Sequence, residues 1–396
     1  MSFSQQSSEV APILINGGGI GGLATALALA RKGFASEVFE QAGEFKEVGA
    51  GLQVGPNAFR VFDALGVTDE INKRATFPES FTLVDAASAE QIVKLPLGDG
   101  FVKRFGFPYG LMHRADLHEV LLNACRQSGH VKLHTNSKCT SFLDQGDGVR
   151  VTLADGTEKR GSALVAADGL WSFVRQALVG DGEPRLAGHI CYRAIVPIEQ
   201  IPASMRMNAM GLWVGPKMHM VLWPMRKGAY SNVTVVFHSD RFEEGWDTYG
   251  DPAELRERIA DLSPSVKDFI HSVSDWRMYV LRDREPVRDW SKGRVTLLGD
   301  AAHPMLQYLA QGACMAMEDA VCLADQVVQH EGDHAAAFLQ YQMKRYLRTA
   351  RIQLTARMYG AVYHASGATA DLRNDFLRSK TPDQVFESMA WIYESQ

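Results

Sequence analysis

Three turns rich in glycine and aspartate, each placed at the end of an apolar run, carry the chemistry this sequence can do. The first is Ile13-Leu14-Ile15-Asn16-Gly17-Gly18-Gly19-Ile20-Gly21-Gly22. In a Gly-x-Gly-x-x-Gly turn, the position of Gly17 permits a tight bend and that of Gly19 lets backbone approach a pyrophosphate. Gly22 then lets the following helix pack on the strand. Unpaired N–H groups and the positive dipole end at the start of that helix suit phosphate. A second strand, roughly Glu37 to Phe39, ends at Glu40, where a carboxylate can accept hydrogen bonds from a ribose hydroxyl. A glycine turn without a ligand is the plainer alternative; strand, helix and Glu40 falling in register argue against it.

The second turn is Leu164-Val165-Ala166-Ala167-Asp168-Gly169-Leu170-Trp171-Ser172-Phe173-Val174-Arg175, an apolar strand delivering Asp-Gly at the ligand edge of a sheet. Taken alone, an Asp-Gly turn is more often structural. The third is Val295-Thr296-Leu297-Leu298-Gly299-Asp300-Ala301-Ala302-His303-Pro304, where Asp300 is placed to bond sugar-like hydroxyls. Pro304 bends the chain away, and Gln311-Gly312 lead into a helix from Ala313. The first amides of that helix would point at whatever lies above Asp300. A helix N-terminus stabilises negative charge by about 0.3–1 kcal/mol. The first turn by itself would fit any nucleotide enzyme, whereas the set points to one FAD lying across a domain built from both ends of the chain.

Away from these turns, Lys217-Met218-His219-Met220-Val221-Leu222-Trp223 reads as a strand, and its period of two puts His219, Val221 and Trp223 on one face. That face could line a pocket, although a histidine there can equally be held by backbone within the sheet. Gln307 lies on the loop between Asp300 and the downstream helix, beside Met305; a solvent-facing role fits it as well. His303 reads as part of the turn at Pro304, and Arg193 as able to reach the cofactor's edge.

The elements that must position these residues follow from pattern. Strands and helices alternate from residue 12 to about 180, as in a βαβ domain. From Leu186 to Ser239, short alternating strands with turns at Gly215-Pro216 and Arg226-Lys227-Gly228 read as an antiparallel sheet. Asp251 to Val273 reads as helical, Arg294 to Leu298 as a buried strand and Ala313 to Gln329 as a helix. Ala335 to Tyr393 reads as helical packing or subunit contact. The pattern predicts an α/β fold with an inserted antiparallel β-sheet domain and C-terminal helices. The expected limits are 1–183 and 281–360 for the two parts of the FAD-binding domain. The inserted domain takes 184–280 and the C-terminal helical segment 361–396.

Composition narrows the classes. The chain has 396 residues, 46% of them apolar, ample for buried cores. A net charge of −5 with no dense Lys/Arg run argues against a nucleic-acid partner. No apolar run near the N-terminus is long enough to span a bilayer, and Met1 to Val10 lacks a signal-peptide pattern. Five cysteines without CxxC spacing read as reduced thiols in a cytoplasmic protein. The histidines show no metal-ligand spacing, so no metal is expected.

The three turns jointly resemble those of the single-component FAD-dependent aromatic monooxygenases, the group that includes p-hydroxybenzoate hydroxylase, over about residues 12 to 360. Several stretches are similar to the 3-hydroxybenzoate 6-monooxygenase branch. These are Glu47-Val48-Gly49-Ala50-Gly51-Leu52-Gln53-Val54-Gly55-Pro56-Asn57, Asp283-Arg284-Glu285-Pro286, Pro304-Met305-Leu306-Gln307-Tyr308-Leu309 and Arg357-Met358-Tyr359-Gly360. The resemblance implies that the first domain is a Rossmann-type FAD-binding domain of the glutathione-reductase sort and the inserted one the substrate domain. It implies FAD as cofactor, held by Gly17, Gly19, Gly22, Glu40, Gln53, Arg114, Asp168, Arg175, Asp300, Gln311, Gly312 and Ala313. Glu40 would take the adenosine ribose, Arg114 the phosphates and Asp300 the ribityl chain. Asp168 and Arg175 would serve a motif touching both FAD and a transient nicotinamide cofactor. Where many relatives carry Gly-Gln-Gly-x-Asn, this chain has Ala310-Gln311-Gly312-Ala313-Cys314, which removes one amide side chain but keeps the backbone donors.

The activity so implied is NADH- and O2-dependent hydroxylation of a small phenolic aromatic acid, 3-hydroxybenzoate to gentisate, by para attack of an electrophilic flavin C4a-hydroperoxide. A phenolate is a far richer target than a phenol, whose pKa is near 10, so a base beside the hydroxyl helps. His219 is the candidate base and Gln307 the candidate partner, with Trp223, Val221 and Met305 in the substrate pocket. Trp223 stands where some relatives carry tyrosine. A homodimer is expected, with neither nucleic acid nor membrane as partner. Within the family, salicylate 1-monooxygenase (decarboxylating) and 6-hydroxynicotinate 3-monooxygenase remain alternatives. Outside it, the alternatives are a nicotinamide dehydrogenase, which leaves Gly299-Asp300 unexplained, and a non-catalytic FAD-binding protein.

Overall fold

A computed structural model describes residues 11–46, 51–241 and 249–394. The stretch Glu47–Ala50, part of the resemblance above, lies outside the described residues.

Strands form where the sequence alternates β-branched and aliphatic residues, and they build two large sheets. The first has six strands in the order Ser291–Lys292, Val295–Leu297, Ala163–Ala166, Ile13–Asn16, Ser36–Phe39, Val131–His134. All but the edge pairing of Ser291–Lys292 are parallel. The strand Ile13–Asn16 is buried throughout, as a parallel strand covered on both faces must be. The helices Ile20–Arg31 and Gly312–Gln329 cover it, packed closely through Gly21 and Ala316.

The second sheet has seven strands, in the order Arg277–Asp283, Arg185–Pro197, Tyr230–His238, Met218–Met225, Ala209–Gly215, Ser80–Asp85, Gln91–Pro96. The sheet draws on residues outside the 184–280 expected for the substrate domain: two of its strands come from residues 80–96, and Ala209–Gly215 runs parallel to Ser80–Asp85. Only packing decides which sheet 80–96 joins. The expected helix over Asp251–Val273 is two helices, Pro252–Arg258 and Pro264–Ser272. Pro264 cannot donate a backbone hydrogen bond inside a helix, so it starts a new one.

Alternation along Met218–Met225 sorts side chains between two cores. Met218, Met220 and Leu222 pack with Leu255, Phe269 and Trp276 on the outer face. Val221 and Trp223 turn inward, to the core shared with the parallel sheet. The C-terminal helices His334–Tyr363, Ala368–Arg378 and Pro382–Tyr393 fasten the two sheets together. Their chief anchor is Glu318, held by Arg345 at 2.7 Å and Arg348 at 2.6 Å, while Arg348 also donates to the carbonyls of Trp391 and Ile392.

Candidate active site

The strands ending at Asn16, Ala166 and Leu297 are neighbours in the parallel sheet, so the three turns that follow them share one edge. Backbone contacts lock them together: the Ala167 amide donates to Asn16 and the Leu298 amide to Ala166. Two glycines are dictated by contact. A Cβ on Gly17, whose φ is +111°, would lie 2.3 Å from the Ala167 carbonyl oxygen, and one on Gly22 would lie 1.9 Å from that of Gly17. Gly19 caps the helix that follows, in extended conformation.

Glu40 stands beside this turn as expected. One carboxylate oxygen accepts from the Gly18 amide at 2.9 Å, the other from the Ala42 amide at 2.9 Å. Asp168 accepts from the Asn16 side chain at 3.0 Å through Oδ2. Its Oδ1 is buried without a partner, and burial pushes the carboxyl up to about 6. An orphaned carboxylate oxygen among glycine turns fits a hydroxyl-bearing cofactor along this edge.

Asp300 is the exposed residue of the otherwise buried turn Gly299–Ala301, above the start of the helix Gly312–Gln329: a Cβ on Gly312 would lie 3.8 Å from its Oδ1. Gly312 and Ala313 open that helix, so the dipole end expected there is in place. Gln311, in contrast, is buried, and its Oε1 accepts from Asn57 at 2.9 Å, so its amide serves the interior. Gln53 likewise accepts from the Tyr109 hydroxyl at 2.7 Å. Arg114 opens the helix Arg114–Gln127, and His118 of the same helix bonds the Gly18 carbonyl at 2.8 Å.

Arg175 turns to the interior. Fully buried, it donates to the carbonyls of Ala301 at 3.0 Å and Ala302 at 2.6 Å and pairs with Asp181 at 2.7 Å. It is the staple that joins the second turn to the third from behind. His303 has the structural role expected of it. It meets Asp319 at 2.5 Å, and Asp319 also bonds the Arg345 guanidinium at 2.6 Å and the Gly299 amide at 3.2 Å. Burial pushes the Asp319 carboxyl up, but His303 and Arg345 outweigh it and hold the group down at about 2.

Across from this edge, the loop carrying Met305, Gln307 and Tyr308 meets the seven-stranded sheet. Gln307 Oε1 accepts from Arg193, and its Nε2 lies 3.5 Å from the Cys191 sulfur. Gln307 therefore reaches Arg193 rather than His219, and Arg193 also stacks over Tyr279, with its Nε buried and unpaired. Met305 packs half-buried near Gly312. Val221 is half-buried and Trp223 buried, the Trp223 ring so close to Gly51 that a Cβ there would stand 2.0 Å away.

His219 is 3% exposed. No backbone carbonyl holds it; its Nδ1 lies 2.8 Å from Nε2 of His364, and its ring meets the edge of Tyr308 at 5.4 Å between centroids. Burial, then repulsion from His189, pushes it down to about 3, so it is neutral with one lone pair available. Sequence reading missed His364 and Tyr308, which touch it, and His189 and His238, which lie behind them. His364 ends the helix His334–Tyr363, 145 residues from His219, and no local pattern marks it.

The comparisons agree with this geometry. The chain is 43% identical over 382 residues, 96% of this chain and 95% of the relative, to 3-hydroxybenzoate 6-hydroxylase of Polaromonas naphthalenivorans (strain CJ2). It is 33% identical to 6-hydroxynicotinate 3-monooxygenase of Bordetella bronchiseptica, covering 86% of this chain and 89% of that one. Among solved structures, Klebsiella pneumoniae HpxO complexed with FAD and uric acid superposes with a TM-score of 0.85 at 28% identity, over 96% of this chain and 95% of that one. Residues 10–355 match the FAD binding domain family, and the chain belongs to it.

Proposed function

We propose that this protein hydroxylates 3-hydroxybenzoate to gentisate, using FAD as bound cofactor, NADH as electron donor and O2. The observation that carries this reading is the pairing of two features: three cofactor turns on adjacent strand ends, and a neutral, buried imidazole that packs against Tyr308 on the loop following the third of them. Full-length similarity to several 3-hydroxybenzoate 6-hydroxylases supports the substrate.

FAD, when bound, supplies the redox chemistry that takes electrons from NADH and delivers one oxygen atom of O2 to the ring. Gly17, Gly19 and Gly22 would admit its pyrophosphate, Arg114 would meet the phosphates and Glu40 the ribose. Asp168 and Asp300 would offer carboxylates to its hydroxyls, and the amides of Gly312 and Ala313 would stabilise negative charge on it. His219 accepts a hydrogen bond from the substrate's phenolic hydroxyl through Nε2. With a pKa of about 3 it polarises the O–H without holding the proton in the ground state, and takes it only as the ring is attacked and the phenol becomes acidic. Arg193 orients Gln307, whose amide holds the substrate hydroxyl, while Trp223, Val221 and Met305 pack against the ring. Carboxyl-retaining hydroxylation is tested by product: gentisate keeps its carboxyl group, whereas catechol from salicylate does not. NADH and O2 consumption without gentisate would sink this reading, and turnover of 6-hydroxynicotinate alone would favour the second relative's reaction.

We read the protein as a homodimer. Met343, Leu347, Leu354 and Met358 are 60%, 72%, 51% and 56% exposed along one face of the helix His334–Tyr363, an apolar stripe that a second copy would cover. Sedimentation at micromolar concentration tests it. Five unpaired cysteines support a reducing, cytoplasmic location, and no helix among the described residues is long and apolar enough to cross a membrane.

A further inference from the structure

Behind His219 the fold gathers three more imidazoles from strands and a helix end that are distant in the chain. His189 and His238 stand opposite each other in register on neighbouring strands, ring centroids 4.3 Å apart. His364 comes down on them from the end of the helix His334–Tyr363, its Nδ1 3.1 Å from Nε2 of His238. One ligand atom from each of the three lies within 4.8 Å of the others. We propose that His189, His238 and His364 form a binding site for a divalent transition-metal ion of the zinc type, whose occupation switches off His219.

The geometry suits such an ion. Two nitrogens on a tetrahedral zinc, with bonds of about 2.0–2.1 Å, stand roughly 3.3 Å apart. The 3.1 Å between His238 and His364 is therefore near the required spacing, with the ion replacing the shared proton. Three imidazoles leave the fourth position to water, the arrangement of an open site. His189 is oriented by the Tyr308 hydroxyl, 2.6 Å from its Nδ1, which leaves Nε2 for the ion. Two ligands sit on paired strands and the third on a helix end fixed by the Lys217 amide to the His364 carbonyl at 3.0 Å. Lys217 and Arg258 place positive charge toward His238, which works against a cation there.

The consequence for His219 follows from tautomers and rests on the reading of His219 as base. His364 faces His219 through Nε2. With a metal on Nδ1, neutral His364 must carry its hydrogen on Nε2 and donate it to His219 Nδ1. His219 then holds its own hydrogen on Nε2, the atom that would receive the phenolic proton. Without metal, His364 can accept from His219 Nδ1, and the Nε2 lone pair is open.

The test uses untagged, FAD-loaded protein titrated with zinc chloride by calorimetry and with Co2+ by absorption beyond the flavin bands, alongside 3-hydroxybenzoate hydroxylation. One equivalent per chain, tetrahedral cobalt bands and a fall in hydroxylation with the same midpoint are expected. His238→Asn and His189→Ala should each weaken binding at least about tenfold and relieve the inhibition, judged against each variant's own metal-free rate. No saturable binding, or binding unchanged in both variants (an adventitious ion only), overturns the site. Binding abolished in both variants, with wild-type hydroxylation undisturbed by metal, upholds the site and overturns the switch. The His219→Ala rate then separates a failed base assignment from a failed coupling to His364.

Discussion

The two halves of the active site are built on different principles. At the parallel-sheet edge, recognition belongs to backbone: Gly17 and Gly22 are required because neighbouring carbonyls occupy the space of a side chain, and the helix start at Gly312 presents amides. On the seven-stranded sheet and the loop that meets it, recognition belongs to side chains. His219 is held by His364, Gln307 by Arg193 and His189 by Tyr308, each pair joining residues far apart in the chain. A backbone site tolerates change around it but no added atom within it. A side-chain site accepts substitution without collapse and loses its chemistry instead.

The sharpest break of that contrast is Gly22→Ala. The new methyl meets the Gly17 carbonyl oxygen, which cannot yield without moving the turn. FAD affinity should fall at least about 100-fold, roughly 2.7 kcal/mol, and the protein should purify largely colourless; a fully yellow variant would contradict the backbone account.

His219→Ala, by comparison, should keep its flavin spectrum and hydroxylate about 10²–10⁴-fold more slowly. Because the His219 pKa is depressed to about 3, the imidazole is already deprotonated at neutral pH and is lost as a base only as pH falls toward that value. The ratio of wild-type to variant rate should hold constant from about pH 6 to 8. A ratio collapsing as pH falls through about 6.5 would mean the histidine titrates normally.

Asp168→Asn sets stability against binding on the backbone side. The folded-state pKa, raised to about 6 by burial, exceeds the unfolded value, so the charged form costs stability above about pH 6, and the cost vanishes as pH falls below about 4. FAD-free Asp168→Asn should be more stable than wild type by on the order of 2 kcal/mol at pH 8, with the gain fading between pH 6 and 4. Denaturant melts at both pH values check it. The same variant should bind FAD more weakly.

The smallest expected effect is at Ala310, whose φ of +52° is left-handed. Ala310→Gly should relieve about 1 kcal/mol of strain and raise Tm by about one degree with FAD binding intact. An unchanged or lower Tm would show that the loop compensates.

How much could be read in advance follows the same division. The strand–turn–helix at Gly17 and the helix at Gly312 were legible because their signals are local: apolar runs, glycines and periodicity within a dozen positions. Period two along Met218–Met225 likewise placed His219, Val221 and Trp223 on the inner face. The same pattern could not say that 80–96 joins the second sheet, since strand propensity does not name its partner. Nor could it tell that Arg175, sharing a motif with Asp168, would turn inward to staple Ala301 and Ala302.

The sequence alone determined the cofactor edge, the family and the strand bearing the imidazole, because glycine requirements and alternation are properties of neighbouring residues. Tertiary structure alone decided what surrounds that imidazole. His189, His238 and His364 meet only when two strands pair and a distant helix ends above them, and burial then sets their charge.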